Sequence, residues 1–262
     1  MTSFLDQPLA KKVPELTLYF WVIKVLTTGM GETTSDFFVH SYNPYRVVAL
    51  GAVALAISIV WQLSLRRYNP WIYWLAVSMV AVFGTMAAGI LHVYLGVPYP
   101  ISATIYAVST ALIFGLWYVV EKTLSVHSIY TRRRELFYWA AVLATFAMGT
   151  AVGDMTAVSF QLGFFGSGVL FLVIFAIPGI AYRLIGLNEI VAFWFAYIIT
   201  RPLGASFADW LAVPASLGGL NLGKGPVSIA LWLLIIAFVA YLAITHRDVA
   251  HESGRTPELS AT

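Results

Sequence analysis

The sequence predicts an all-α polytopic membrane protein, with eight transmembrane helices arranged as four parallel two-helix repeats around a polar centre. Three observations carry that expectation. Sixty per cent of the 262 residues are hydrophobic and only 10% are charged, too little polar surface for a water-soluble domain of this length. Eight apolar runs are each long enough to cross a bilayer core, which takes about 20 residues. One spacing of Trp, Gly and Asp recurs along the chain.

The runs cover residues 14–39, 46–65, 70–96, 100–121, 136–159, 162–183, 188–212 and 225–245. Pro14, Pro44, Pro70, Pro100 and Pro226 stand at or near their starts, where a missing N–H costs a helix little. The chain therefore divides into an N-terminal segment (1–13), four repeats (14–65, 66–121, 122–183, 184–246) and a polar tail (247–262) that reads as disordered. The N-terminus lacks an apolar stretch followed by a small-residue cleavage site, so the first helix reads as retained. The sequence has no Cys, which excludes disulfides and thiolate metal sites.

Basic residues set the orientation. Lys11, Lys12, Arg66, Arg67, Lys122, Arg132, Arg133, Arg134 and Arg183 fall on one side, with Arg247 and Arg255 after the last run. The other side has Arg46 and Lys224. The positive-inside rule places both termini in the cytoplasm. The GKGP segment at 223–226 reads as an external turn.

The repeat is read by aligning the odd-numbered runs on tryptophan. Trp21, Gly31 and Asp36 recur at the same spacing as Trp139, Gly149 and Asp154, and as Trp194, Gly204 and Asp209. Trp74 and Gly84 keep the register, but Gly89 replaces the acid. Phe20, Tyr73, Tyr138 and Phe193 each precede the tryptophan. A unit of two helices re-enters from the same side, so the repeats are parallel.

The segments KVPELTLYFWVIKVLTTGMGETTSDF, FYWAAVLATFAMGTAVGDMTA and AFWFAYIITRPLGASFADWLA carry a resemblance, joined by the acid-less IYWLAVSMVAVFGTMAAGILHVY. From about Lys12 to His246 the chain resembles a bacterial family of uncharacterised membrane-anchored proteins. That family is described as four tandem repeats, each with two membrane segments and a characteristic tryptophan. The resemblance implies the architecture and a bacterial inner-membrane location. It implies no activity.

Function is read from the polar residues. Lys24, Thr28, Glu32 and Asp36 fall in one i+4 row on the first helix, hence on one face. The matching rows hold Arg201 and Asp209 in the seventh run, Thr150 and Asp154 in the fifth, and Thr85 in the third, with His92 further on. The even-numbered runs have no ionisable residue in their interiors. The odd helices are thus expected to line a cavity, with the even ones behind them facing lipid. A charge at mid-bilayer costs about 2.5–3.5 kcal/mol or more, so Glu32, Asp36, Asp154, Asp209, Lys24 and Arg201 belong in the interior and are functional candidates. Asp154 lies some 20 residues beyond the Arg132–Arg134 cluster, roughly 30 Å along a helix. The aspartate layer therefore belongs in the outer half.

The expected function is secondary transport of a small cation, most simply a hard divalent metal such as a manganese-like ion, in exchange for protons. Carboxylates and hydroxyls without Cys suit hard ions. Glu32, Asp36, Asp154 and Asp209 are the expected metal ligands, with Thr28 and His92 as further ligands. Lys24 and Arg201 are expected to pair with Glu32 and Asp209 or to act as a tethered cation that alternates with the substrate, and Pro202 to kink the seventh helix. The expected partners are the cation, protons and the lipid bilayer, with a homo-oligomer left open and no nucleic acid. No permanent cofactor is expected, only a bound divalent cation. Two rivals remain open: transport of an organic cation or small metabolite, and a membrane-embedded enzyme or ligand sensor. No nucleotide-binding or metalloprotease motif supports a soluble-type enzyme.

Overall fold

A computed structural model describes residues 11–91 and 95–249. Among the described residues there are eight long helices: α1 (Leu18–Ser41), α2 (Pro44–Ser64), α3 (Pro70–Gly89), α4 (Tyr99–Glu121), α5 (Arg132–Asp154), α6 (Gly163–Ile185), α7 (Glu189–Ala212) and α8 (Lys224–Thr245). Local chemistry sets their ends. The side chains of Thr17, Asn43, Asn69, Thr131 and Asn188 accept from backbone N–H groups in the first turns of α1, α2, α3, α5 and α7, satisfying donors with no intrahelical partner. Pro44 and Pro70 open their helices. Gly186, in the left-handed conformation, ends α6. A π-helical turn, Met155–Ser159, continues α5 directly past Asp154; such turns recur at functional sites.

Seven of these helices are long and apolar enough to cross a membrane, and the chain is a multi-pass membrane protein. The exception is α1, whose apolarity is diluted by Lys24, Glu32 and Asp36.

The odd-numbered helices form the interior. They meet in cyclic order, α1 against α3, α3 against α5, α5 against α7, and α7 against α1. The most apolar windows of α3, α5 and α7 are 61–67% buried, against 11–28% for α2, α4, α6 and α8. Every even helix packs mainly on the odd helix that follows it: α2 on α3, α4 on α5, α6 on α7. Helix α8 completes the cycle on α1. The outer helices expose Leu, Ile and Val side chains along their length, a surface suited to lipid.

Two sets of repeat residues close this ring. The first is the glycines. A Cβ built at Gly31 would lie 2.5 Å from that of Ala81, and one at Gly84 would lie 2.8 Å from that of Phe146. At Gly149 it would meet Arg201 at 2.6 Å, and at Gly204 it would run into Thr28 and Val25. Each glycine therefore faces the residue seven positions after the tryptophan of the next repeat. Only a missing side chain lets the two backbones approach so closely. The second set is aromatic. Phe20 lies 5.6 Å from Trp74, Tyr73 5.7 Å from Trp139, Tyr138 6.2 Å from Trp194, and Phe193 5.9 Å from Trp21, centroid to centroid. These contacts stack a buried aromatic layer across the bundle.

The end that carries the N-terminal segment is tied by polar contacts. Lys12 is buried and donates to Glu135 at 2.5 Å, and to the carbonyls of Gln62 and Leu63. Burial holds the Lys12 ammonium below its ordinary pKa, against the opposing pull of Glu135. The Gln62 amide also donates to Glu135. Two segments read as peripheral therefore take part in the packing. Lys12 and Val13 are buried, and so is Asp248, which lies in the stretch read as a disordered tail. Asp248 accepts from the Tyr68 hydroxyl at 2.5 Å and from the Glu15 backbone N–H at 2.9 Å. The rest of that tail, 250–262, lies outside the described residues. Tyr68→Phe is expected to cost about 1.5–3 kcal/mol, the range for a hydrogen bond to a charged group, read as a lower unfolding temperature of the detergent-purified protein.

Candidate functional site

The polar row of α1 and its counterparts occupy successive levels inside the ring. Arg201 lies at the middle level and reaches out from α7. Its guanidinium donates to the Glu32 carboxylate at 2.6 Å and to the Thr28 carbonyl at 3.0 Å, both on α1. It also donates to Thr150 on α5 at 2.7 Å and to Thr85 on α3. Glu32, Thr85 and Thr150 stand at one register position, eleven residues after the tryptophan of repeats one, two and three. One side chain from the fourth repeat thus gathers the equivalent residue of the other three. Arg201 and Glu32 are both buried, so each charge depends on the other.

Pro202, next in the chain, lies inside α7 and removes one helical hydrogen bond. Gly149 and Gly153 of α5 abut this Arg–Pro step. The small residues of α5 thereby make room for the guanidinium stem.

Beyond Arg201 is a cavity of about 200 Å³. Glu32, Asp36, Asp154 and Asp209 line it, with Thr85, Thr150, Tyr99, His40 and Lys224. Carboxylate oxygens of Glu32, Asp36 and Asp209 all lie within 4.8 Å of one another. Asp154 lines the same cavity but stands outside that cluster. Lys224 pairs with Asp36 at the rim. The His40 ring hydrogen-bonds through Nδ1 to the Asp36 carbonyl at 2.8 Å. Asp209 is 6% exposed and makes no side-chain hydrogen bond among the described residues. A buried, unbonded carboxylate is costly unless a cation or proton satisfies it.

Several expected site residues fall elsewhere. The Thr28 hydroxyl donates to the carbonyls of Val25 and Thr200 and does not line the cavity; its place is in the α1–α7 contact. Lys24 forms no ion pair with Glu32 or Asp209. Two helical turns separate it from Glu32, and Arg201 already occupies that carboxylate. Its Nζ lies over the rings of Phe146 at 3.8 Å and Tyr197 at 4.1 Å. Arg201 pairs with Glu32 and not with Asp209, because the guanidinium points across the ring and Asp209 is two turns further along its own helix. His92 lies outside the described residues. Trp21, Trp74, Trp139 and Trp194 stay in the aromatic layer, away from the cavity.

The sequence reading missed Lys224 and His40. Lys224 looked like part of an external turn, but it begins α8, and α8 packs on α1 beside Asp36. A lysine one position before a Gly–Pro helix start, opposite the only repeat with two acids in its polar row, was the available signal.

Fold and site together define a multi-pass membrane protein of tandem two-helix repeats with a cavity lined by acids. The family model described as Repeat of Unknown Function (DUF347) matches four segments, residues 19–68, 72–123, 137–185 and 192–248. The chain belongs to that family. No curated protein and no solved structure matches it.

Proposed function

We propose that the protein is a secondary transporter of a hard divalent cation, with protons as the exchange partner. The reading includes eight membrane crossings, with α1 shielded from lipid by its neighbours. It also includes pseudo-fourfold repeats, cytoplasmic termini and residence in a bacterial inner membrane. The observation that carries the reading is the cluster of Glu32, Asp36 and Asp209 oxygens within 4.8 Å. Oxygens on opposite sides of one Mg²⁺ or Ca²⁺ are about 4–5 Å apart, given metal–oxygen distances of about 2.0–2.6 Å. One ion therefore fits among the three carboxylates with little rearrangement.

Charge supports the same reading. When all are ionised, the four acids of the cavity outnumber Arg201 and Lys224 by two charges, the charge of one divalent ion or two protons. The cavity volume favours an inorganic ion over an organic cation, since sites for drug-sized ligands run to about 300–1,000 Å³. The aromatic layer and the Lys12–Glu135 pair close the opposite end, as alternating access requires of one state.

The test is a calorimetric titration of purified protein with Mn²⁺. Asp36→Asn and Asp209→Asn are each expected to weaken binding at least about tenfold, equivalent to about 1.4 kcal/mol. Wild-type affinity in both variants would remove the carboxylate cluster as the cation site.

A further inference from the structure

Two cationic side chains cross the interior of the odd-helix ring along different diagonals. Arg201 extends from α7 to Thr85 on α3. Lys24 extends from α1 to the Phe146 ring on α5. Neither pair of helices is adjacent in the cyclic order, so both side chains cross the inside of the ring. Their partners differ sharply. Arg201 is held by a carboxylate, two hydroxyls and a carbonyl. Lys24 Nζ is fully buried and, among the described residues, has no hydrogen-bond partner. It has only the faces of Phe146 and Tyr197. The Arg201 guanidinium stands 5.6 Å from the same Phe146 ring, which places the two cations one above the other.

A lysine kept for stability would have a carboxylate within reach, because burying an unpaired ammonium opposes folding. The neighbouring rings return only part of that cost. The position of Lys24 is better explained by what it does to other cations. A cation leaving the acidic cavity toward the aromatic layer meets Arg201 first and Lys24 next. Fixed positive charge on a narrow path is a known means of excluding cations and protons.

We propose that Lys24 is held as an ammonium over the Phe146 and Tyr197 rings and that, with Arg201 above it, it is an electrostatic barrier that prevents the acidic cavity from opening into a continuous cation pathway. Exchange then requires a conformational change and cannot proceed as a leak. This rests on reading the cavity as a cation site.

The experiment uses the full-length protein reconstituted in phosphatidylcholine–phosphatidylglycerol vesicles. Two fluxes are read without a counter-substrate: Mn²⁺ entry by quenching of an enclosed dye, and proton entry driven by a valinomycin potassium potential. Lys24→Met is expected to raise both fluxes at least tenfold over wild type. Its Mn²⁺ affinity stays within twofold of wild type and its unfolding temperature is no lower. Lys24→Arg, which keeps the charge, is expected to leave both fluxes low. Wild-type fluxes in Lys24→Met would overturn the proposal. So would a lower unfolding temperature for that variant, which would assign Lys24 to structure. A wild-type protein that binds no Mn²⁺ would remove the cation site itself, and the proton flux would still report on the barrier.

Discussion

Glu32→Ala is expected to destabilise the protein by about 3–5 kcal/mol, the cost of stranding one partner of a buried ion pair. Arg201 cannot shed its charge, since a guanidinium stays protonated under all physiological conditions. Without Glu32 its remaining partners are the hydroxyls of Thr85 and Thr150 and the Thr28 carbonyl, all neutral. The loss should appear as a large fall in unfolding temperature in detergent. Glu32→Gln keeps an acceptor and should lose less. The decisive measurement is the double variant Glu32→Ala, Arg201→Met. Removing both charges should recover much of the loss, because apolar residues in place of a buried pair are often neutral or stabilising. Coupling between the two sites is then read directly from the mutant cycle. A Glu32→Ala protein that melts with wild type would show that the guanidinium is satisfied without the carboxylate.

Gly31→Ala is expected to be nearly as damaging, at about 3 kcal/mol, the upper end of the usual range for overpacking. The added Cβ would lie 2.5 Å from the Ala81 Cβ and 2.8 Å from the Ala81 carbonyl carbon. Backbone cannot rotate aside as a side chain does, so α1 and α3 must separate. Ala81→Gly in the same chain should restore part of the loss, leaving the backbone contact unrelieved. The control is Gly115 on α4, where an added Cβ meets nothing within 4 Å. Gly115→Ala should stabilise by about 0.5–1 kcal/mol through its helical preference. Equal effects at Gly31 and Gly115 in thermal unfolding would count against the close approach.

Much of the fold was legible in the sequence because bilayer thickness and helical rise convert apolar run length into helices. Seven of the eight helices fall within about five residues of the runs, while α3 ends at Gly89 and not at 96, and the Trp–Gly register marked the repeats. That register fixes height along the bundle axis, which is how the acids could be placed in one layer. It carries no information on the angle around the axis or on which neighbour each face meets. Lys24 and Glu32 share a face, yet the carboxylate is taken by Arg201 from another helix. Thr28 belongs to the polar row but sits where α1 crosses α7, against the backbone of Gly204. Lys224 was hidden for a different reason: its partner Asp36 lies 188 positions away, and nothing in local spacing links them. The role of the glycines became visible only once each was matched with the residue it faces in the following repeat.

The offset packing of outer on inner helices has a consequence for how the chain is made. No repeat supplies the main cover of its own inner helix, since each outer helix packs mainly on the next inner one. During synthesis α1 therefore waits without its main cover until α8 emerges. Until then, the helix that carries Lys24, Glu32 and Asp36 stands at an unsealed seam of the growing ring. Insertion of α8 is then a closing step, and the contact of Glu15, before α1, with Asp248, after α8, lies across it.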